Sequence, residues 1–338
     1  MKVKKVLAIA VVIVMCFGAL AGCGQGGGDD DGPIQVIIAH TDTSARSTHI
    51  WCLWLGEYLE EHAPGVFEVL VFPDGQLGGS PENIAGVGLG TITMAFEMSP
   101  VLATHVGPAA SVVDLPFLFA TYEDWMEGMF ERGGMELYNQ ALAEVGFYCI
   151  DLFFNGMRNI ISREGHHHTV ADFRGMKVRI PQNDLNIAMW NAMGANPTPM
   201  SWGEVVTALT LGQIDVLDHS LGVFNDFNLH EIAPYITITN HVNSPLPLFV
   251  SIEFLESLGE YREIFKSGVR AAAAHQRADE LALQDQFLER FRAEGASITE
   301  LTPAEIAAFQ EAVIPVYDMW REMVGDELID KWLAIAGH

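Results

Sequence analysis

Arginine is the residue type here whose placement suggests chemistry most directly. A guanidinium is planar, stays charged when desolvated and offers two parallel donors that match the two oxygens of a carboxylate, which suits it to an enclosed anion site. Arg179 stands in Lys177-Val178-Arg179-Ile180-Pro181, where Met176, Val178 and Ile180 alternate with Lys177 and Arg179. That period of two predicts a strand carrying Arg179 on the face opposite its core side chains. From the residues alone two roles stay open for it, a structural ion pair or an anchor for an anion. Arg158, in Asn155-Gly156-Met157-Arg158, is the second arginine of this region. His40 and Glu97 fall at the ends of predicted strands, where a parallel sheet delivers side chains into a crevice. Glu97 is suited equally to pairing with an arginine and to accepting from a ligand hydroxyl or amine.

Other motifs read poorly as catalytic, cofactor or metal sites. Gly86-Val87-Gly88-Leu89-Gly90 has the glycines of a dinucleotide loop, but it precedes a predicted strand when the phosphate cradle should follow one. His230-Glu231 lacks the second histidine of a zinc-protease helix, since Pro234 and Tyr235 occupy the places where it would stand. There is no Gly-x-Ser-x-Gly elbow and no Cys-x-x-Cys pair. His166-His167-His168 are consecutive, and consecutive side chains diverge, so a solvated loop is expected there and not a metal ligand set. No catalytic residue, cofactor or metal is expected.

The whole chain carries 18 Lys+Arg against 44 Asp+Glu, a formal net charge of −26, which excludes nucleic acid as a partner. Residues 1–22 read as an export signal: Lys2, Lys4 and Lys5 open it and Val6 to Leu20 form its apolar stretch. Leu20-Ala21-Gly22-Cys23 is a lipobox, at which lipid is attached to Cys23 and the chain is cut before it; residues 23–33 then form a Gly/Asp tether with nothing to pack. The expected location is extracytoplasmic and lipid-anchored. Cys52 and Cys149 are left as thiols, and their apolar surroundings favour two separate buried cysteines.

From Ile34 the pattern alternates: a strand to His40, a helix from about Ser47 to His62, a strand Phe67 to Phe72, a helix from about Pro81 with Ser80 as its cap, and a strand Thr91 to Phe96. Such alternation predicts βαβ units and a mostly parallel sheet covered on both faces. Thr169 to Asp172 and Ser201 to Glu204 have the form of capping boxes, the second opening a helix that stops at Gly212. A breaker-poor stretch from about Tyr261 to Glu294 predicts a helix on the order of 50 Å long. Roughly 305 residues follow the tether, enough for two core-forming lobes.

Read in order, Phe72-Pro73-Asp74-Gly75-Gln76-Leu77-Gly78, Asp114-Leu115-Pro116-Phe117, Asn155-Gly156-Met157-Arg158, Phe173-Arg174-Gly175-Met176-Lys177-Val178-Arg179-Ile180-Pro181, Gly194-Ala195-Asn196-Pro197-Thr198-Pro199-Met200 and Tyr235 to His241 make a sequence that resembles the substrate-binding proteins of tripartite ATP-independent periplasmic (TRAP) transporters, the DctP-like family. The resemblance runs over essentially the whole mature chain. It implies an α/β, two-lobed periplasmic-binding-protein-like fold with a long helix spanning both lobes: 34–153 plus 245–285 in lobe I, and 154–244 plus 286–338 in lobe II. It also implies a small organic acid as ligand and membrane permease subunits as partners, with a ligand-binding sensory module or a secreted enzyme on the same scaffold as the alternatives.

Residue by residue, the resemblance implies that Arg179 forks onto the ligand carboxylate, that Arg158 lies near the ligand and that Trp202 packs on the ligand body. His219 falls where the family usually has the Asn of an Asp-Gly-x-Glu-Asn segment, and Val216 replaces its Gly. A histidine can carry charge near pH 6.5 where an amide cannot, so this departure puts an unusual ligand set in prospect.

Overall fold

The computed structural model describes residues 32–338; the expected signal, Cys23 and the tether up to residue 31 lie outside the described residues. Among the described residues nine strands form one sheet: β1 (Ile34–Ala39), β2 (Phe67–Phe72), β3 (Met94–Phe96), β4 (Phe147–Ser162), β5 (Lys177–Ile180), β6 (Asn196–Pro199), β7 (Val216–Ser220), β8 (Tyr235–Ser251) and β9 (Ser297–Glu300). Their order is β2-β1-β3-β8-β4-β7-β5-β6, with β9 against β8. At one flank β1 runs parallel to β2 and β3, joined through the helices Ser47–His62 and Ser80–Gly88. At the other β5 runs parallel to β6 and β7, joined through Asp184–Ala192 and Val205–Thr210. These are the crossover units that alternation predicts, because a parallel return needs a covering helix.

The middle of the sheet departs from that expectation. β4 and β8, of 16 and 17 residues, lie antiparallel to each other and to their neighbours β7 and β3. The first half of β4 pairs with the second half of β8 beside β3; the second half of β4 pairs with the first half of β8 beside β7 and β9. The two long strands thus belong to both flanks. Their ladder breaks between Phe154–Pro245 and Met157–Asn243, where β4 carries the extra residue of a bulge. Gly156 sits in that bulge at φ 83°, a conformation open to glycine at little cost.

The long helix, Arg262–Ala293, spans 32 residues, about 48 Å at 1.5 Å per residue. Its first half buries Phe265, Val269 and Ala273 in a core with Val36, Ile38 and Leu55, and its second half buries Phe287 and Phe291 in a separate core with Leu217, Phe224 and Ile236. One helix therefore serves two cores, which makes the fold two-lobed in the expected sense. The last two helices, Ile314–Val324 and Asp326–Ala336, do not keep to the second lobe as assigned: Trp320 Nε1 donates to Ser111 Oγ at 2.8 Å, Tyr317 Oη to the Pro116 carbonyl at 2.9 Å, and Ile335 lies against Gly128.

Cys52 and Cys149 are buried free thiols in different cores. Ser80 lies inside the first turn of its helix, and Gly79 occupies the cap. At Thr169 the Asp172 carboxylate does reach back, accepting from the Thr169 and His168 amides at 2.8 and 2.9 Å. At Ser201 it does not: Trp202–Glu204 forms a tight 3-10 turn, Ser201 caps nothing through its side chain, and its hydroxyl is left to the cleft.

Candidate functional site

A cleft of about 810 Å³ opens where strands of both flanks end, the place where open α/β sheets present their loops. Its first wall carries Asp42 and Arg46 after β1, Asp74 after β2, and Glu97 with Met98 after β3. Its second wall carries Arg179 in β5, Trp202 in the turn after β6, and His219 in β7. Asn155, in the bulge of β4, forms part of the floor. Four of the six side chains singled out from the sequence, Arg179, Trp202, His219 and Glu97, are brought together here.

The alternation of Val178 and Ile180, both fully buried, turns Arg179 to the cleft. Although only 4% exposed, Arg179 forms no ion pair among the described residues. Nη2 donates to the Met200 carbonyl at 2.7 Å, and Nε is buried with no partner. Burial first, and the neighbouring Arg158 charge second, push the Arg179 pKa down to about 9. The guanidinium carbon stands 5.4 Å from the Trp202 ring, which in turn packs on Phe227. Of the two roles open from the sequence, the structural ion pair has no partner in this geometry.

His219 is 7% exposed. The Ser220 amide donates to its Nδ1 at 2.9 Å, so Nδ1 is the unprotonated nitrogen and Nε2 carries the hydrogen. Burial, then the charges of Arg158 and Arg179, hold its pKa well below the usual 6.5. The charged imidazolium held in prospect from the sequence is thus replaced by a neutral donor, and the reason is burial first and the two cations beside it second. Across the cleft Glu97 accepts from the Met98 amide at 3.0 Å, and burial, opposed by that bond and one from Ser80, pushes its pKa up to about 7.

Arg158 and His40 lie behind the walls. Arg158 is fully buried: Nε donates to Asp218 Oδ1 at 2.7 Å, Nη2 to the Asp218 carbonyl at 2.5 Å, and Nη1 faces Met98 Sδ at 3.7 Å. Asp218 also accepts from Trp190 Nε1 at 3.1 Å, and His241 Nε2 stands 3.3 Å from its Oδ1. Arg158 therefore reaches the cleft by contact through Met98 and the register of β7, and by its charge through Arg179 and His219. His40 stacks on Phe96 with its Nε2 3.1 Å from His49 Nδ1, and burial drives its pKa down to about 4; it is a neutral core histidine.

Arg46, Asp42 and Asn155 are among the cleft residues that the sequence reading did not single out. The first two stand in a loop, where no periodicity marks a face, and the third in an irregular bulge. The three consecutive histidines are not a solvated loop throughout. His167 is buried and stacked on Phe173, while His166 pairs with Ser297 and His168 with Glu305, so the rings do diverge. His230 is buried against Glu294, which Arg290 also holds, and an oxygen of the exposed Glu231 carboxylate lies within 4.8 Å of a His230 ring nitrogen and of a Glu294 oxygen.

The family model for bacterial extracellular solute-binding proteins, family 7 (DctP), matches residues 38–323. The chain is 30% identical over 265 residues to a solute-binding protein of Chromohalobacter salexigens, covering 77% of this chain and 76% of that one. It is 28% identical over 277 residues to the 2,3-diketo-L-gulonate-binding periplasmic protein YiaO of Escherichia coli K12, covering 82% and 83%. Among solved structures, a TRAP periplasmic solute-binding protein from Xanthobacter autotrophicus Py2 with bound β-D-galacturonate superposes with a TM-score of 0.83 at 26% identity, covering 89% of this chain and 99% of that one.

Proposed function

Because this chain belongs to the bacterial extracellular solute-binding proteins of family 7, the DctP family of TRAP systems, we propose that it captures a small sugar acid or related carboxylate by closure of its two lobes and delivers it to membrane permease subunits. Arg179 carries the reading. A guanidinium withdrawn from water, with no protein carboxylate against it, is stable only if its charge is answered, and a ligand carboxylate answers it with two oxygens. His219 Nε2 adds a neutral donor beside it, and Trp202 offers an apolar face for the ligand body. The opposite wall, with Asp42, Asp74 and Glu97, accepts hydrogen bonds from hydroxyls and disfavours a second carboxylate. The relatives' ligands, diketogulonate for YiaO and galacturonate in the Xanthobacter protein, have that polarity.

Contacts from both walls exist together only when the cleft is shut, so ligand shifts the population toward the closed form by its extra affinity for it. Arg158 acts through Asp218 and Met98, positioning the wall without touching the ligand. No nucleotide is needed for capture. Small-molecule mass spectrometry of the protein denatured after mild purification is expected to release a hydroxylated carboxylic acid; a released compound without a carboxylate overturns the reading.

Lipid on Cys23 would hold the protein at the membrane surface beside its permease. Replacing Cys23 by Ser is expected to move the protein from the membrane fraction to the soluble one with ligand binding intact. Unchanged membrane association defeats the anchor.

A further inference from the structure

Arg46 draws together parts of the molecule that closure must move. It follows β1 in the first lobe and is 4% exposed. Nε lies 3.4 Å from Asp42 in its own loop. Nη1 donates at 2.6 Å to Asp226, which ends the helix Leu221–Asp226 directly after β7, in the second lobe. Nη2 donates at 2.7 Å to Asn155 Oδ1, in the bulge where the β4–β8 ladder breaks, and lies 3.7 Å from Glu280. Glu280 sits on the long helix between Ala273, buried in the first core, and Phe287, buried in the second. One guanidinium thus contacts a loop of the first lobe, a helix end of the second, and two of the elements that connect them, β4 and the long helix.

The charges around it are unbalanced in a way that fits a contact made and broken. Three carboxylates, Asp42, Asp226 and Glu280, surround one cation. Burial works against the Arg46 charge, but Asp42, Glu280 and Asp226 outweigh it and raise its pKa, so the group stays cationic. If Asp226 swings away, Asp42 and Glu280 still answer it, so opening strands no buried cation. Asp226 and Asp42 have equally exposed side chains, at 24%, but only Asp226 belongs to the second lobe, so it is the partner that opening would carry away. The second-lobe helix also approaches closely by design of its sequence: a methyl at Gly222 would stand 2.6 Å from Glu280 Oε1.

We propose that Arg46 is a clasp for the cleft, keeping Asp42 and Glu280 in both states and taking Asp226 only on closure, so that it sets the closed fraction and the rate at which a bound ligand escapes. This rests on the two-lobe closure stated above, but not on the identity of the ligand. In ligand-free protein the clasp should hold a measurable closed population, which Asp226→Asn lowers about tenfold relative to the open one, the usual scale for loss of a well-formed, partly desolvated charge pair.

The test is the distance between nitroxide labels on cysteines placed at Gln76 and Leu211, both exposed, in the Cys23→Ser protein; Cys52 and Cys149 are buried and escape labelling. Pulsed electron paramagnetic resonance without ligand should show a short and a long distance. Asp226→Asn should move the population to the long one. Asp42→Asn removes the same charge from the same guanidinium within one lobe, and should leave the short distance unchanged or more populated. Equal effects of the two substitutions, no effect of Asp226→Asn, or a wild type with no short distance would each overturn the clasp. Because nothing is bound in this measurement, its failure leaves carboxylate capture by Arg179 standing.

Discussion

Arg179→Met lowers affinity for the recovered carboxylate by roughly 30-fold to several thousand-fold, which corresponds to about 2–5 kcal/mol for truncating one partner of a desolvated charge pair. The same substitution should leave the ligand-free protein as stable as before, or slightly more so. A buried guanidinium that forms no ion pair pays a desolvation cost that only the ligand offsets, and an apolar side chain of similar length removes that cost. Calorimetry with the recovered ligand and thermal unfolding without it separate the two effects. A ligand-free protein that unfolds many degrees early, while its folded fraction binds normally, would make Arg179 a structural residue and sink the anchor.

Arg179 was legible because β5 is short and regular: a period of two over Met176 to Ile180 fixes which face each side chain takes. The same rule shows where His40 had to go. It shares its parity with Val36 and Ile38, both fully buried, so continuing β1 by one step carries it into their core and away from the crevice. Position at a strand end does place Glu97 in the cleft wall, but for His40 the alternation of its strand decides against the cleft. Arg158 could not be placed in this way, because β4 carries register shifts on both sides of it and parity does not survive a bulge. The expectation of a mostly parallel sheet holds for five of the eight strand pairings and fails at the centre, where β4 and β8 run antiparallel. Asn155-Gly156 has the look of a boundary between two strands, yet the chain passes through it as one strand of 16 residues.

Arg46 was beyond reach for another reason. Its partners Asn155 and Asp226 lie 109 and 180 positions away, and no local pattern encodes contacts at that separation. The long helix was the opposite case. Its length, from about Tyr261 to Glu294, exceeded what one lobe needs, the family resemblance implied that it spans both, and the residues that enter each core follow from its helical period.

Asp218→Ala is expected to destabilise the protein by about 3–5 kcal/mol, because it leaves Arg158 charged and buried with its main partner gone. At roughly 2–4 °C per kcal/mol for a chain of this size, melting falls on the order of 10 °C. Here a buried arginine has its carboxylate inside the protein, so the consequence is the reverse of that at Arg179. The dependence on pH follows from the carboxyl itself. Burial alone would raise the Asp218 pKa, but the Arg158 guanidinium and His241 outweigh burial and hold it well below the usual carboxylate range. A group depressed in the folded state contributes stability that is present above its unfolded value, near 3.9, and is lost as pH falls through the folded value. The melting gap between wild type and Asp218→Ala should therefore be full from pH 5 to 8, begin to narrow below about pH 4, where Asp218 of the unfolded chain takes up its proton, and close only as pH falls through the much lower folded value, where wild-type Arg158 is left in the same unanswered state. A gap that is small at pH 7, or that does not narrow in acid, would mean that packing around Trp190 and His241, and not the ion pair, is what Asp218 supports.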